Sequence, residues 1–224
     1  DRVGLGHARL SIIDPESGAQ PIHNEDETLW IVYNGEVFNY VELRAELENR
    51  GHRFYTGTDT EVVLHLYEQE GPDCLDVLNG QFAFAVWDRR KQELFLARDR
   101  VGIMPLHYTI AGGMLIFASE VKAIFAAPVV PRAMDPCSID QIFTFWTVLP
   151  GNTAFSGVRE VLPGHYLRVS KGELLSTQYY SLPICSRAEL NGAPLEELCE
   201  QAGELFRDAV RIRLRADVPV GCYL

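Results

Sequence analysis

Three short segments of the sequence carry more polar specificity than their local structure requires. They are residues 7–14 (HARLSIID), 33–39 (YNGEVFN) and 56–61 (TGTDTE). Between them they supply an arginine, a pair of acids and an Asn-Gly amide corner. A guanidinium binds a carboxylate, carboxylates bind an ammonium group, and amide N–H donors stabilise a developing oxyanion. Together the segments therefore complement an α-amino acid in a reaction that places negative charge on oxygen.

Each of these features also has an ordinary structural interpretation. Arg9 fits a solvent-facing position on a strand. Asn34-Gly35 fits the two central residues of a type I′ hairpin, and Asp59 fits the acidic first turn of a helix. Such positions contribute about 1 kcal/mol or less to stability. A structural origin is sufficient for each feature alone, whereas their combination favours a binding site.

The elements that must position these residues are short strands interleaved with a few helices. We expect strands over residues 4–13, 29–33, 37–40, 81–86, 93–97, 103–110 and 114–118. Helices are expected over residues 40–50, 59–69, 120–127, 138–146 and from about residue 194. Asn39 with Glu42 resembles a capping box for the first helix, and Ser119 can cap the third. Gly51 and Gly71 stand where glycines end the first two helices.

The composition is that of a folded acidic chain. It has 224 residues, 47% of them hydrophobic, and 20 Lys and Arg against 31 Asp and Glu give a net charge of −11. This charge repels phosphate backbones and anionic lipid, so nucleic acid and membrane surfaces are poor candidate partners. The longest apolar runs fall far short of the ~20 residues that cross a bilayer, so no transmembrane helix is expected.

The cysteines and histidines indicate neither disulfides nor a metal site. The five scattered cysteines form no Cys-x-x-Cys pair, and we expect them to be buried packing residues in a reducing, cytoplasmic setting. They are Cys74, Cys137, Cys185, Cys199 and Cys222. The six histidines show no ligand spacing, so no metal site is predicted. The chain begins at Asp1 without an initiator Met, which indicates processing or a fragment of a longer protein.

Six motifs follow one another along the first part of the chain. They are residues 9–14 (RLSIID), 34–36 (NGE), 56–61 (TGTDTE), 80–85 (GQFAFA), 98–106 (RDRVGIMPL) and 118–123 (ASEVKA). The ordered series resembles the class II glutamine amidotransferase domain of glutamine-dependent asparagine synthetases, over about residues 3–181. Residues 217–221 (DVPVG) resemble the entry to that family's ATP-using synthetase domain.

The resemblance implies an α+β fold, a four-layer αββα sandwich of the N-terminal nucleophile hydrolase type. Residues 1–182 would form the amidotransferase domain, lacking its N-terminal segment, and residues 183–193 a linker. Residues 194–224 would be the helix and strand that begin an α/β synthetase domain. A helix and one strand cannot bury their own apolar faces, which agrees with the beginning of a second domain.

By the same resemblance, each polar feature acquires a role. Arg9 would bind the α-carboxylate of L-glutamine, and Asp59 with Glu36 would bind its ammonium group. Asn34 through its side-chain amide and Gly35 through its backbone N–H would form an oxyanion hole. Backbone groups of four further residues would line the pocket: Leu10, Ser11, Ile12 and Ile13. Residues 98–106 would be a scaffold or domain-contact element without a catalytic role.

The implied activity is hydrolysis of the glutamine amide, which supplies ammonia to ATP-activated aspartate in a cytoplasmic asparagine synthase. The parent enzyme would use ATP with Mg²⁺, and this fragment would hold no cofactor. Its partners would be L-glutamine, its own synthetase domain and, in a homodimer, a second copy.

Two departures from the family pattern bear on what this chain can do. The family's nucleophile is a cysteine at the mature N-terminus whose own α-amine acts as base, and none of the five cysteines takes that position. The family's pyrophosphate loop, Ser-Gly-Gly-x-Asp-Ser, does not occur either. We therefore expect the chain as written to be inactive. Two alternatives stay open: an amidotransferase for another acceptor, such as a sugar, a cell-surface precursor or a β-lactam precursor, and a non-catalytic binding or dimerisation module.

Overall fold

The computed structural model of the chain describes residues 3–10, 12–184 and 194–221. The strands are β1 (Ile22–His23), β2 (Leu29–Val37), β3 (Gly80–Asp88), β4 (Glu93–Arg98), β5 (His107–Ala111), β6 (Met114–Ala118), β7 (Arg159–Glu160), β8 (His165–Ser170) and β9 (Glu173–Gln178). The helices are α1 (Tyr40–Asn49), α2 (Asp59–Glu70), α3 (Cys74–Val77), α4 (Val121–Ile124), α5 (Pro136–Phe145) and α6 (Leu195–Ile212), with a 3₁₀ turn at Gly71–Asp73.

Two antiparallel sheets form the middle of the structure. The larger sheet has six strands in the order β1-β2-β3-β4-β8-β9, and the smaller has three in the order β6-β5-β7. Helices α1 and α2 pack on the outer face of the larger sheet, and α4 packs on the outer face of the smaller one. The layers therefore run helix, sheet, sheet, helix, as the sequence predicted.

The alternating pattern of strand β3 explains how the layers pack. Phe82, Phe84 and Val86 point toward helices α1 and α2, where large side chains fill the core. Ala83 and Ala85 point toward the smaller sheet. Since successive side chains of a strand face opposite sides, one nine-residue segment supplies a bulky face for the helices and a flat face for the second sheet.

Helix α2 agrees closely with its sequence signals. The hydroxyl of Thr58 accepts a hydrogen bond from the Glu61 amide, and Gly71 with φ of 61° ends the helix. Its first nine residues are buried, including Val62, Val63 and Leu66. Helix α1 also has its predicted bounds to within a residue, and Gly51 follows it with φ of 101°.

Several local predictions were wrong. Residues 4–13 contain no strand in their described part, and residues 29–37 form one continuous strand with no turn at Asn34-Gly35. The Asn39 side chain bonds Val77 and Asn79 rather than capping α1. Helix α4 is four residues long and Ser119 does not cap it, because the helix begins beyond Glu120 in extended conformation. At Asn34-Gly35 and at Asn39, contacts with distant segments outweigh the local signal.

One end of the C-terminal helix, α6, lies against helix α1. Most apolar side chains of α6 are exposed, whereas Ile212 is buried. Arg215 donates to both carboxylate oxygens of Glu42 at 2.6 and 2.5 Å. These contacts hold the end of α6 beside helix α1. The predicted strand over residues 218–224 is not formed in its described part, residues 218–221, and most of the predicted linker lies outside the described residues.

The cysteines divide into buried and exposed groups. Cys74 is buried, as expected, and burial raises the pKa of its thiol far above the usual range. Cys137 and Cys199 are exposed, so the prediction of buried packing was wrong for these two, and Cys185 and Cys222 lie outside the described residues. None of the helices in the described ranges is long and apolar enough to cross a membrane.

The close approach of β2 and β3 gives a stability prediction at Gly80. A Cβ at Gly80 would overlap the carbonyl oxygen of Glu36 and lie 2.8 Å from the Cα of Val37. Backbone atoms cannot rotate away, so Gly80→Ala is expected to lower the free energy of unfolding by about 2–3 kcal/mol in urea denaturation. In the control Gly203→Ala, the nearest atom is a flexible Arg207 nitrogen at 3.6 Å, and a gain of about 0.5–1 kcal/mol is expected. Equal effects at the two positions would contradict the close approach.

Candidate functional site

The predicted site residues line one cavity of about 200 Å³. It contains every described member of the predicted set: Arg9, Leu10, Ile12, Ile13, Asn34, Gly35, Glu36 and Asp59. Ser11, the remaining member, lies outside the described residues. Residues separated by fifty positions in the sequence thus meet around one space. Their individual roles stay predictions.

Three elements build the walls of this cavity. Strand β2 supplies residues 34–36, the first residue of α2 supplies Asp59, and the segment before residue 14 covers the opening. Strand β2 lies inside the larger sheet between β1 and β3. The floor of the cavity is therefore held by hydrogen bonds along nine register pairs with β3.

Asn34 and Gly35 lie in the middle of strand β2. They pair with Ala83 and Phe82 of β3. Gly35 has φ of 151°, and a Cβ there would overlap the carbonyl oxygen of Gln81 and lie 2.7 Å from the Cα of Phe82. This position therefore requires glycine because the neighbouring backbone is too close, and the hairpin interpretation of Asn34-Gly35 was wrong.

The side chain of Asn34 reaches the second sheet. Its Nδ2 lies 3.3 Å from the hydroxyl oxygen of Ser119, which follows strand β6. Asn34 also lines a second cavity, of about 460 Å³, which continues between the two sheets. The amide is thus fixed in direction at the boundary between two cavities.

Asp59 is a buried carboxylate at the start of α2. Its Oδ2 accepts hydrogen bonds from the hydroxyl of Tyr33 and from the backbone N–H of Val37, both at 2.9 Å. The residue is 4% exposed. Burial raises the pKa of Asp59, although the hydrogen bonds oppose the shift.

Glu36 adds a second acid to the same end of the cavity. It is half-buried on β2, and burial raises the pKa of its carboxyl, with the charge of Asp59 acting in the same direction. Each carboxylate makes the other harder to ionise, and a cation between them offsets the repulsion between their charges. An ammonium group suits this end of the cavity.

Arg9 supplies positive charge elsewhere on the lining. Its guanidinium donates to the carbonyl oxygen of Asp14 at 2.8 Å and to that of Ile13. These bonds use two of the five N–H groups that a guanidinium carries. They fix the direction of the side chain, and donors remain for a carboxylate ligand.

Five polar lining residues were not among the predicted site residues. They are His7, Gln20, Tyr33, Thr60 and Gln81. Gln20 accepts from the Tyr33 amide at 2.6 Å and donates to the Tyr33 carbonyl at 3.1 Å, so it completes the edge of β2. His7 is the most informative, because its Nδ1 is buried without a hydrogen-bond partner. Burial, followed by the charge of Arg9, lowers its pKa. Its position next to Arg9 in the HARLSIID motif was the available signal.

Comparison with known proteins identifies the family of the chain. Residues 1–180 match the family described as the glutamine amidotransferase domain. The chain belongs to this family. None of the cysteines in the described part of the chain lines the cavity.

Curated relatives cover the whole of this chain. It is 40% identical over 225 residues to asparagine synthetase [glutamine-hydrolyzing] 3 of Bacillus subtilis, covering 99% of this chain and 36% of the relative. It is 39% identical over 224 residues to amidase chry2 of Gibberella zeae, covering 99% of this chain and 33% of the relative. The chain thus spans about a third of the length of these relatives.

A solved structure supports the fold. Glutamine phosphoribosylpyrophosphate amidotransferase from B. subtilis, complexed with ADP and GMP, superposes with a TM-score of 0.56 at 25% identity. The match covers 78% of this chain and 34% of the other. The predicted fold of the N-terminal nucleophile hydrolase type is thereby confirmed.

The buried acid gives a pH-dependent stability prediction. Asp59→Asn retains an oxygen acceptor for Tyr33 and Val37 but removes a charge whose burial raises the pKa. An acid with a raised folded pKa destabilises the folded state once ionised, and has no such effect at pH values where it is protonated both folded and unfolded. We expect Asp59→Asn to raise the thermal midpoint at pH 7, with the gain disappearing as the pH falls to about 3.8.

Calorimetric melts at pH 7 and pH 3.5 would measure this effect. Asp73→Asn, at an exposed position ahead of α3, serves as the control and should change neither midpoint appreciably. A fall in the Asp59→Asn midpoint at pH 7 would mean that the charge itself stabilises the fold.

Proposed function

We propose that this chain is the glutamine-hydrolysing part of an asparagine synthetase, supplying ammonia to ATP-activated aspartate. The observation that carries the proposal is the single cavity that joins an arginine, one buried and one half-buried acid and an Asn-Gly pair, in a chain of the glutamine amidotransferase family. Resemblance to glutamine-hydrolysing asparagine synthetases along the whole chain supports the choice of acceptor.

Substrate binding uses charge at two places in the cavity. The α-carboxylate of glutamine pairs with the free donors of Arg9, and the ammonium group lies against Glu36 and Asp59. The side-chain amide of the substrate then extends along β2. Binding the ammonium group relieves the mutual repulsion of the two acids, so the cavity selects a zwitterionic α-amino acid.

Asn34 and Gly35 act on the reacting carbonyl. The Asn34 amide and the Gly35 N–H donate hydrogen bonds to the oxygen as it gains charge, which lowers the barrier to the tetrahedral intermediate. Strand β2 holds both donors rigidly, since β3 pairs with it on one side and Ser119 fixes the Asn34 amide. This rigidity is what preorganised stabilisation of charge requires.

The nucleophile in this proposal is a cysteine at the mature N-terminus of the protein. Its sulfur attacks the amide carbon, the C–N bond breaks, and the α-amine passes the thiol proton to the departing nitrogen, which leaves as ammonia. Water then cleaves the thioester and releases glutamate. In the complete enzyme, ATP with Mg²⁺ activates aspartate in the synthetase domain, and the products are asparagine, AMP and pyrophosphate. The setting is cytoplasmic, and the complete enzyme forms a homodimer.

A second candidate function is transfer of ammonia to a different acceptor. It is favoured by the similarity to an amidase, of nearly the same identity as that to the synthetase. The two functions share the cavity and differ in what consumes the ammonia. Aspartate-dependent pyrophosphate release by the complete protein separates them, because only the synthetase requires aspartate.

The proposed function is tested by measuring glutamate release from glutamine. The complete protein is expected to release glutamate, and substitution of its N-terminal cysteine by alanine to abolish the release. The 224-residue chain alone should show none, because no thiol of the described residues lies at the cavity. A normal rate from the chain alone would reveal another nucleophile and overturn the mechanism.

Arg9→Ala tests the carboxylate contact. In the complete enzyme it should raise the KM for glutamine at least about 30-fold, or about 2 kcal/mol, because a substrate charge is left unpaired. Synthesis from added ammonia should continue at the wild-type rate, since ammonia does not need this cavity. Equal loss of both activities would assign Arg9 to the support of the fold through Ile13 and Asp14.

Asn34→Asp tests the oxyanion contact. It replaces an amide donor by a negatively charged acceptor facing the oxygen on which charge develops. We expect kcat for glutamine to fall at least ~100-fold, or about 3 kcal/mol, with little change in the thermal midpoint, since Ser119 can donate to the new carboxylate. Steady-state kinetics and a thermal melt on the complete enzyme are sufficient. An unchanged kcat would remove Asn34 from the oxyanion hole.

A further inference from the structure

A second cluster of chemically capable side chains lies outside the glutamine cavity. Glu25 in the β1–β2 loop, His52 in the α1–α2 loop, and His65 and Glu68 on α2 bring their functional atoms within 4.8 Å of one another. No spacing in the sequence predicts this group, because three separate segments contribute to it. The fold creates it by packing the two loops beside α2.

The distances within the cluster are those of a small coordination shell. The Nδ1 atoms of His52 and His65 are 3.2 Å apart. A carboxylate oxygen of Glu68 lies 3.4 Å from the His65 Nδ1 and 3.7 Å from the His52 Nδ1. One from Glu25 lies 3.7 Å from the His65 Nδ1. Ligands 2.0–2.2 Å from a tetrahedral ion are about 3.3–3.6 Å apart, so these four distances lie close to that range. The separation of the His52 Nδ1 from Glu25 is longer, at 4.0 Å, and would shorten around an ion.

The opposite nitrogens of both histidine rings face oxygen atoms. The His52 Nε2 is 3.3 Å from the side-chain oxygen of Gln69, and the His65 Nε2 is 3.6 Å from a carboxylate oxygen of Glu61. Metal-bound histidines usually direct the second ring N–H to such an acceptor. With both Nε2 atoms protonated, both Nδ1 lone pairs face into the cluster.

The two acids are also oriented by their neighbours. The Oε1 of Glu25 accepts from the Arg53 amide at 2.8 Å, and the Oε1 of Glu68 accepts from the Asn24 side chain at 2.8 Å. In each case it is Oε2 that lies closest to His65. Three of the candidate ligands, Glu25, His52 and Glu68, thus have one atom bonded from outside and another directed inward. The Nε2 of His65 is buried without a hydrogen-bond partner.

The charges in the cluster attract a cation. His65 is fully buried, whereas Glu25 and Glu68 are partly exposed, which leaves an entry path from solvent. Two lone pairs and two carboxylates meeting at one point repel one another until a positive ion separates them.

We propose that Glu25, His52, His65 and Glu68 form a four-coordinate site for a divalent transition-metal ion of the zinc type. Two imidazoles and two carboxylates suit Zn²⁺, whereas Ca²⁺ and Mg²⁺ prefer oxygen ligands in larger shells. All four positions are filled by the protein, so the ion is structural. It ties two loops to α2, the helix whose first residue is Asp59 of the glutamine cavity.

Zinc titration of the chain tests the site. The experiment uses the chain with Cys137→Ser and Cys199→Ser, because these exposed thiols would bind zinc themselves. After removal of metal with a chelator, ZnCl₂ is added in competition with a chromophoric chelator. We expect one ion per chain with Kd below about 1 μM, a higher thermal midpoint, and no comparable uptake of Ca²⁺ or Mg²⁺.

Two variants assign the ligands. His52→Gln and Glu68→Gln should each weaken zinc affinity at least about 100-fold. The matched controls His165→Gln and Glu70→Gln, which lie outside the cluster, should leave it unchanged. Circular dichroism verifies that each variant is folded, and ¹⁵N spectra of the zinc form should show His52 and His65 bound through Nδ1. Absence of zinc uptake, or affinity that is unchanged in both ligand variants, would overturn the proposal.

Discussion

The carboxylate of Asp59 joins helix α2 to strand β2, and the candidate cavity lies where these two elements meet. One oxygen accepts from the Tyr33 hydroxyl and from the Val37 amide, both on β2. A buried charge is costly unless it is hydrogen-bonded, so its partners and its helix cannot move independently. The orientation of α2, and with it the loop before the helix, depends on this contact. The fold thus positions the cavity by burying a charge that only hydrogen bonds from β2, rather than water, can stabilise.

Local signals in the sequence were sufficient for elements whose ends are capped locally. Helix α2 has the capping residue Thr58 at its start, and Gly71 ends the helix as predicted. The alternation of Phe82, Phe84 and Val86 with alanines likewise determines which face of β3 meets the helices. These features involve residues a few positions apart, so the sequence contains all the information that they require.

Contacts between distant segments explain what the sequence could not predict. Asn34-Gly35 has the composition of a hairpin turn, yet nine register pairs with β3 keep it extended, and the glycine is needed for the approach of Gln81. The predicted residues that the structure describes line one cavity, and only the family resemblance linked their segments in advance. Gln20 stands in no motif, and His7, the first residue of the HARLSIID segment, was given no role. The histidine cluster was missed because spacing along the chain does not report how loops pack on a helix.

Two hydrogen bonds between Asp217, near the C-terminal end of the chain, and the segment around Ile12 and Asp14 also bear on how the cavity forms. The Asp14 amide donates to the Asp217 carboxylate at 2.8 Å, and the Asp217 amide donates to the Ile12 carbonyl at 3.1 Å. The segment that carries Arg9 is among the first parts of this chain to leave the ribosome. Asp217, which bonds Asp14, follows Asp14 by 203 residues. At 5–20 residues per second, this interval is about 10–40 s. Both sheets can pair during that time, so the opening of the cavity acquires its final contact after the layers beneath it have been synthesised.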